Sequence, residues 1–502
     1  MKGRWFNFRP LFLIFLFLMM GTLFAYYSTQ YTIVASITAA LTFGIVITVA
    51  ILKRKIKYFI IPLATFIIAI SGYSLAVYSF NKKVEFVPTT IQARVYSVSK
   101  AENQRVVLRA DNCTFDDKTI DGNITVYLYD NDGLFENIHI GSVIKFKPER
   151  FNKTDLFYHD TPDANAYANN LRYTAVVNMQ NVTYLKTDNT FAEKIKSQIK
   201  QNLNGELTNE NVEIAYSALF GDKELLSTEQ YSAYKLSGVA HLLAVSGLHV
   251  GIIVAILCWV LKRVNPWVKI AIVSLFLIFY TYLCGFATSI IRASIMSIVL
   301  LLSSTLRKEY DSLSAISLAG MILFVVNPLV IFDIGFLMSF SCVLGITLLY
   351  KPISIALQKI HMPKLIADSF AISCATMVSL MFIMAYYFKT LNIISLIANI
   401  LLIPIFTFGF TIVFVVSIVS LFLPFVTKIL PPVDYIFDFI NLCATVLGNL
   451  KFANLSTTSM HFIVIPIYFA LILIMSRICT ARHRNKIIIS LPTLAILIGF
   501  LL

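Results

Sequence analysis

Apolar runs of about 20 residues recur along this chain, and they restrict its fold more than any other feature. Pro10–Tyr26, Ile33–Leu52 and Phe59–Val77 approach the roughly 20 residues that a helix needs to cross about 30 Å of hydrocarbon. Further candidate spans follow near residues 239–261, 270–283, 286–306, 312–326, 329–350, 367–388, 391–423, 434–449, 461–477 and 487–502. Only 14% of the residues are charged, against roughly 25% in soluble domains. The sequence therefore excludes a soluble enzyme and predicts a polytopic α-helical membrane protein with about 13 spans.

The formal net charge of +14 is distributed in a way that indicates topology. Residues 81–238 carry 18 basic and 21 acidic side chains, so this region is slightly acidic. The rest of the chain carries 23 basic and 6 acidic side chains, and most of the basic ones lie in short loops such as Lys53–Lys57 and Lys262–Lys269. Loops of this kind stay on the cytoplasmic side of a membrane. We therefore predict a cytoplasmic N-terminus and an extracytoplasmic polar region.

The polar region follows about three predicted helices in residues 1–80. Between Lys83 and Thr187, short runs rich in β-branched and aromatic residues alternate with turns that contain Asp, Asn and Gly. About five strands in this length favour a small β-barrel, closed or partly open and OB-like, over residues 81–188. Residues 189–236 show an amphipathic helical pattern, which predicts a connector along the outer membrane surface. Residues 237–502 hold the main bundle of predicted spans.

Four segments place polar or flexible residues inside that bundle. Polar side chains in hydrocarbon are costly and normally face the bundle interior or a water-filled cavity. The candidates for such a polar path are His241, Ser246, Gly247, His249, Arg292, Asp333, Ser339 and Asn399. Arg292 needs an anion, a carbonyl group or water beside it, and Asp333 is a candidate partner. The run from Asn392 to Pro404 belongs to a stretch too long for one straight crossing, which predicts a broken or re-entrant helix.

Structural interpretations of the same residues stay open at this point. His241 and His249 are compatible with packing inside the bundle. Arg292 and Asp333 are compatible with a purely structural ion pair, and Asn399 with a local helix distortion.

Catalytic and metal-binding motifs are absent from the sequence. It contains no HExxH, no GxSxG and no phosphate-binding loop. His241 and His249 are eight residues apart, about 80° around a helix, and without a third ligand they support zinc only weakly. The seven cysteines form no CxxC pair, and the polar region contains Cys113 alone. We predict no cofactor, no metal and no enzymatic activity.

The polar segments resemble the ComEC family of competence proteins. Leu236–Ile253, LSGVAHLLAVSGLHVGII, is similar to the signature block of that family. Gly285–Met296, Asn327–Ile346 and Asn392–Ile405 follow in the family's order, and Leu219–Ser227 resembles the stretch before the signature. Many members end in a metallo-β-lactamase-like domain, whose ligand motif has no counterpart in this sequence, so we expect a form that lacks this domain.

The resemblance implies a channel in the bacterial cytoplasmic (inner) membrane for inward passage of single-stranded DNA during natural transformation. The implied partners are single-stranded DNA, membrane lipids, an external DNA receptor or pilus, and cytoplasmic helicase or strand-binding proteins, and a homo-oligomer stays open. Tyr96, Tyr127 and Tyr129 are candidates for a surface on which bases stack, and an interpretation as barrel core is favoured over it.

Two alternatives belong to other functional classes. The first is a permease for a smaller anionic solute that uses Arg292 and the broken helices. The second is a membrane-embedded, metal-dependent hydrolase that uses His241 and His249.

Overall fold

The computed structural model describes residues 9–30, 57–81, 88–100, 105–116, 118–120, 122–129, 138, 140–158, 161–223, 226–450, 454–457, 464–465 and 467–468. The chain divides into two compact units. The helical unit comprises residues 1–13, 199–320 and 334–502, and the sheet unit comprises residues 14–198 and 321–333. The predicted spans at Ile33–Leu52 and 487–502 lie outside the described residues, as does most of the span at 461–477.

Helices make up most of the described chain. They are α1 Pro10–Gln30, α2 Lys57–Asn81, α3 Ala164–Ala168, α4 Phe191–Asn204, α5 Asn209–Phe220, α6 Thr228–Leu236, α7 Gly247–Val260, α8 Pro266–Leu283, α9 Thr288–Thr305, α10 Ser312–Val326, α11 Ile334–Lys359, α12 Lys364–Phe388, α13 Ser395–Ser420 and α14 Pro431–Gly448. Within the described ranges, seven of them are long and apolar enough to cross a membrane, namely α1, α2, α8, α9, α11, α12 and α13. The chain is therefore a polytopic helical membrane protein, with seven such helices described where the sequence predicted about 13 spans.

Several predicted spans differ in extent from the observed helices. The span near 239–261 shortens to α7, and Asp333 precedes α11 instead of lying within it. The expected break near Pro404 is wrong, because α13 continues through this residue from Ser395 to Ser420. The helix starts only after the short strand at Thr390–Asn392, which leaves a length that one tilted span accommodates.

The sheet unit carries most of the strands. The strands of the chain are β1 Ile91–Lys100, β2 Arg105–Phe115, β3 Lys118–Thr119, β4 Asn123–Tyr129, β5 Ser142–Phe146, β6 Arg150–Lys153, β7 Phe157–Tyr158, β8 Thr161–Pro162, β9 Leu171–Asn178, β10 Val182–Thr187, β11 Thr390–Asn392 and β12 Asn454–Ser456. The main sheet has the order β10-β5-β1-β2-β4-β9-β6, with β3 paired to β2. β4 and β9 are parallel, whereas the other neighbours are antiparallel.

The described strands form a mixed sheet that is not closed as a barrel, so the closed form of the predicted OB-like barrel is wrong. After β5 the chain moves to the opposite edge, where β6 pairs with β9, and β10 then returns to the edge at β5. The turn signals in the sequence locate the strands, but they do not specify this change of edge.

One face of the sheet forms the hydrophobic core of its unit. Ile124, Val126 and Leu128 of β4 are buried there with apolar residues from the neighbouring strands. Tyr127 and Tyr129 alternate with them, so they lie half-buried on the other face. The interpretation of these tyrosines as core residues is therefore wrong.

The connector of the helical unit is packed more deeply than a surface helix. Nine of the 12 residues of α5 are buried, although the sequence predicted a surface position. Asn211 of α5 donates hydrogen bonds to Asp434 at 2.8 Å and to Asp438 at 2.7 Å. Tyr234 of α6 donates to Asn441 at 2.6 Å. These contacts place a polar stripe along α14, which explains why α14 is not among the long apolar helices despite the predicted span at 434–449.

Gly345 sets the close approach of α11 to α12. A Cβ at this position would lie 2.7 Å from the carbonyl oxygen of Ala375 and would overlap the side chain of Ser379. Gly251 of α7 has no other group within 4 Å of the corresponding position. We expect Gly345→Ala to destabilise the bundle by about 1–3 kcal/mol, whereas Gly251→Ala should not lower the stability, since alanine is favourable inside a helix. Thermal unfolding of the detergent-solubilised proteins measures the difference, and equal melting temperatures would contradict the packing described.

Candidate functional site

Gly238 fixes the turn that leads from the connector to α7. Its φ of +77° lies in the left-handed region, where L side chains are strained. A Cβ on Gly238 would also lie 2.4 Å from the Cβ of Ser395 at the start of α13. Asn392 donates a hydrogen bond to the carbonyl oxygen of Lys235 at 2.7 Å. The end of the connector is thus held against the first turn of α13.

Ser246 starts α7 with a capping box. Its Oγ accepts hydrogen bonds from the backbone N–H groups of Leu248 and His249, and its own N–H donates to Nδ1 of His249 at 3.1 Å. Histidine here takes the position that Glu or Gln occupies in the usual box. The cap makes the helix begin at Gly247, so the preceding residues of the predicted span form a turn instead.

The imidazole of His249 is enclosed between helices. The residue is 0% exposed, and its ring packs edge-to-face on Phe410 and Phe406 of α13, with centroid distances of 4.4 and 5.7 Å. Because Nδ1 accepts a hydrogen bond, the neutral ring carries its proton on Nε2. Nε2 is buried and has no acceptor in the described part of the chain. His249 therefore offers one N–H donor to the bundle interior.

Arg292 of α9 lies against the first turn of α7. A Cβ on Gly247 would be 3.2 Å from Nη2 of Arg292, and Ser289 of α9 donates to the carbonyl oxygen of Val245 at 3.1 Å. Arg292 is 6% exposed. Its Nη1 lies 3.5 Å from the sulfur of Met296, a weak acceptor. Its Nε has no acceptor, and no carboxylate in the described part of the helical unit forms an ion pair with it.

His241 connects this site to the connector. It is exposed in a short 3-10 turn at Ala240–Leu242, and it is close enough to Lys223 and His249 for their charges to interact. Burial lowers the pKa of Lys223, whose ammonium lies 5.7 Å from the ring centroid of Tyr231. His241 and His249 therefore do not share one helix, contrary to the sequence interpretation.

Tyr310 precedes α10 and interacts electrostatically with Arg292. The charge of Arg292 interacts with Tyr310 and with Cys342 of α11. Tyr310 borders a cavity of about 180 Å³ beside Asp311, which pairs with Arg9 at 2.9 Å. We call Lys223, His241, His249, Arg292 and Tyr310 the polar track. His241 interacts electrostatically with Lys223 and with His249, and Arg292 interacts in the same way with Tyr310. Arg292 also lies against the helix turn that carries His249.

The remaining polar candidates from the sequence are Ser339, Asn399 and Asp333. Ser339 of α11 and Asn399 of α13 each have a buried oxygen with no hydrogen-bond partner among the described residues. Asp333 belongs to the sheet unit, so its pairing with Arg292 stays a prediction. No group of three or more metal-ligating side chains occurs in the described ranges.

Sequence reasoning missed part of the site. Tyr310, Phe406 and Phe410 carry no signal of their own, since aromatic residues are frequent throughout the bundle. Lys223 lies in the segment Leu219–Ser227, where the family resemblance was the available signal.

Comparison with known families decides the assignment of the chain. The sequence model described as "Competence protein" matches residues 218–481, which is just over half of the chain. The chain belongs to the competence protein family. The matched region begins in α5 and contains the whole polar track.

Two curated relatives support membership of the competence family over part of their length. "ComE operon protein 3" of Bacillus subtilis (strain 168) is 33% identical over 200 residues, which is 39% of this chain and 25% of the relative. "Recombination protein 2" of Haemophilus influenzae (strain ATCC 51907 / DSM 11121 / KW20 / Rd) is 25% identical over 232 residues, which is 43% of this chain and 29% of the relative. The match thus spans between a quarter and a third of each relative. No solved structure matches the chain significantly.

The capping role of His249 gives a prediction about stability. In His249→Gln the amide oxygen accepts the N–H of Ser246, because Gln is a normal capping-box residue. In His249→Phe the aromatic contacts with α13 are retained, but that N–H loses its acceptor. We expect the Phe variant to lose about 1–2 kcal/mol and the Gln variant to lose much less. Thermal unfolding in detergent measures both, and a Phe variant as stable as the unmodified protein would refute the capping role.

Proposed function

We propose that this chain is a membrane channel through which single-stranded DNA moves inward during natural transformation. A polyanion cannot cross hydrocarbon, so a channel for it must enclose a hydrated path lined by cationic or polar groups. Several buried polar atoms without partners in the described residues support this requirement, since they lie on α7, α9, α11 and α13 of the helical unit. They include His249 Nε2, Arg292 Nε, Ser294 Oγ, Ser339 Oγ, Asn399 Oδ1 and Ser417 Oγ.

One observation carries the proposal, namely the position of Arg292. A buried guanidinium normally lies beside a carboxylate, because an unpaired charge in a low-dielectric interior is expensive. Arg292 lies instead beside the first turn of α7, and no carboxylate in the described part of the helical unit pairs with it. A cation placed in this way is suited to interact with an anion that passes through the bundle.

In this proposal the chain moves the strand without cutting it. An external receptor or pilus delivers duplex DNA, another protein degrades one strand, and a cytoplasmic helicase or strand-binding protein receives the product. The basic loops support a cytoplasmic N-terminus and an extracytoplasmic position for the β-rich region at residues 81–188.

A permease for a smaller anionic solute is the second candidate, and the same isolated charge on Arg292 favours it. The two functions differ in what reconstituted protein transports. Flux of a small anion into proteoliposomes, without passage of single-stranded DNA, would support the permease and contradict the channel. No observation on the described residues favours a metal-dependent hydrolase.

Replacement of Arg292 tests the proposed function directly. We expect Arg292→Gln to lower transformation frequency by about 10- to 100-fold, because a charge-assisted hydrogen bond contributes about 1.5–3 kcal/mol. The host is a naturally competent strain in which this chain is the only copy of the family. Frequency is scored with a selectable DNA marker and normalised to DNA bound at the cell surface.

Arg307→Gln is the matched control, since Arg307 lies just beyond the end of α9 and is exposed. It removes the same charge outside the bundle and should leave transformation unchanged. Both variants are compared at equal amounts in the membrane. Normal transformation by the Arg292 variant would contradict the channel proposed here.

A further inference from the structure

In the first turn of α7, the backbone N–H of Gly247 is left without a described acceptor. The N–H groups of Leu248 and His249 are taken by the capping box, and that of Val250 bonds to the carbonyl oxygen of Ser246. The N–H of Gly247 has no acceptor among the described residues of the helical unit. This N–H lies at the positive end of a 14-residue helix, and Arg292 lies against the same turn.

The neighbouring guanidinium is a second and independent donor at the same place. Arg292 is 6% exposed, its Nε is unpartnered, and its Nη2 lies 3.2 Å from the position of a Gly247 Cβ. A cation beside the positive end of a helix is electrostatically unfavourable, because both repel each other. An oxyanion bound between the guanidinium and the helix terminus is attracted by both, so its binding replaces this repulsion with attraction.

The chemistry of the donors selects the class of anion. A guanidinium binds two oxygens of a phosphate or carboxylate in one plane, and a helix N-terminus binds phosphate oxygens through its backbone N–H. The absence of a side chain on Gly247 lets an oxygen approach that N–H closely. Phosphodiester groups in a single strand present two such oxygens at each nucleotide.

We propose that Gly247 and Arg292 form a binding station for one phosphate group, and that a strand in transit occupies it one phosphodiester at a time. The physiological ligand rests on the proposed function, whereas the station itself does not. Because a helix terminus and one arginine read the phosphate and no base, the station accepts any nucleotide sequence. It also restricts the path to strands whose phosphate groups enter the bundle interior one at a time.

Binding of inorganic phosphate by the purified full-length protein tests the station. We expect sodium phosphate to raise the melting temperature of the detergent-solubilised protein, compared with sodium chloride at equal ionic strength, because a ligand of the folded state stabilises it. A short oligothymidylate should give the same stabilisation at a lower phosphate concentration. Arg292→Gln should abolish both shifts, and Arg292→Lys should reduce them, since an ammonium lacks the planar fork.

A pair of glycine variants keeps the test independent of the arginine. Gly247→Ala places a methyl group against Nη2 of Arg292, whereas Gly251→Ala, one turn later on the same helix, meets nothing within 4 Å. We expect the first to weaken phosphate binding several-fold and the second to leave it unchanged. Alanine is favourable inside a helix, so neither substitution should prevent folding.

The outcomes separate the station from the channel. If Arg292→Gln and Gly247→Ala keep the phosphate-dependent shift of the unmodified protein, the station is refuted, even when Arg292→Gln lowers DNA uptake. If both variants lose the shift while Arg292→Gln transforms normally, the station stands and the DNA channel fails. Loss of the shift in both variants, together with loss of uptake, supports both.

Discussion

Hydrocarbon offers no hydrogen bonds and no counter-ions, and this constraint organises the helical unit of the protein. Each polar group that the sequence places at membrane depth must find a partner inside the bundle or line a hydrated path. Ser246 and His249 satisfy each other in the cap of α7. Arg292 has no carboxylate partner in the described part of its unit and faces the positive end of that helix. The site therefore combines a capped, closely packed frame with buried donors that have no acceptor among the described residues.

The frame extends from the site to the connector on one side and to α13 on the other. Gly238 and Asn392 join the end of α6 to the first turn of α13, and the aromatic rings of α13 enclose His249. Asn211 and the aspartates of α14 hold the connector inside the helical unit. Small residues at the contacts allow this close packing, which is how helices associate in a membrane.

The sequence predicted the membrane class, because apolar length is a direct physical signal, and it predicted the family through the resemblance of its polar segments. It did not predict the strand order of the sheet, since turn residues locate strands without specifying which edge each one joins. It also placed His241 and His249 on one helix, because a hydropathy pattern does not resolve a cap such as Ser246. The continuous α13 shows that Pro404 is tolerated within a packed helix, where the run length alone had indicated a break.

The central claim is that a hydrated path for single-stranded DNA runs through the bundle. In a cysteine-free background, single cysteines at Asn399 and Phe408 of α13 test it, because nine residues separate opposite faces of a helix and Phe408 is 62% exposed on the outer face. The measurement is the reaction rate with a charged, membrane-impermeant thiol reagent in proteoliposomes, with and without single-stranded DNA. The channel predicts that the cysteine at 399 reacts and is protected by DNA, while the one at 408 does not react. An unreactive cysteine at 399, or a reaction rate there that single-stranded DNA leaves unchanged, would contradict it.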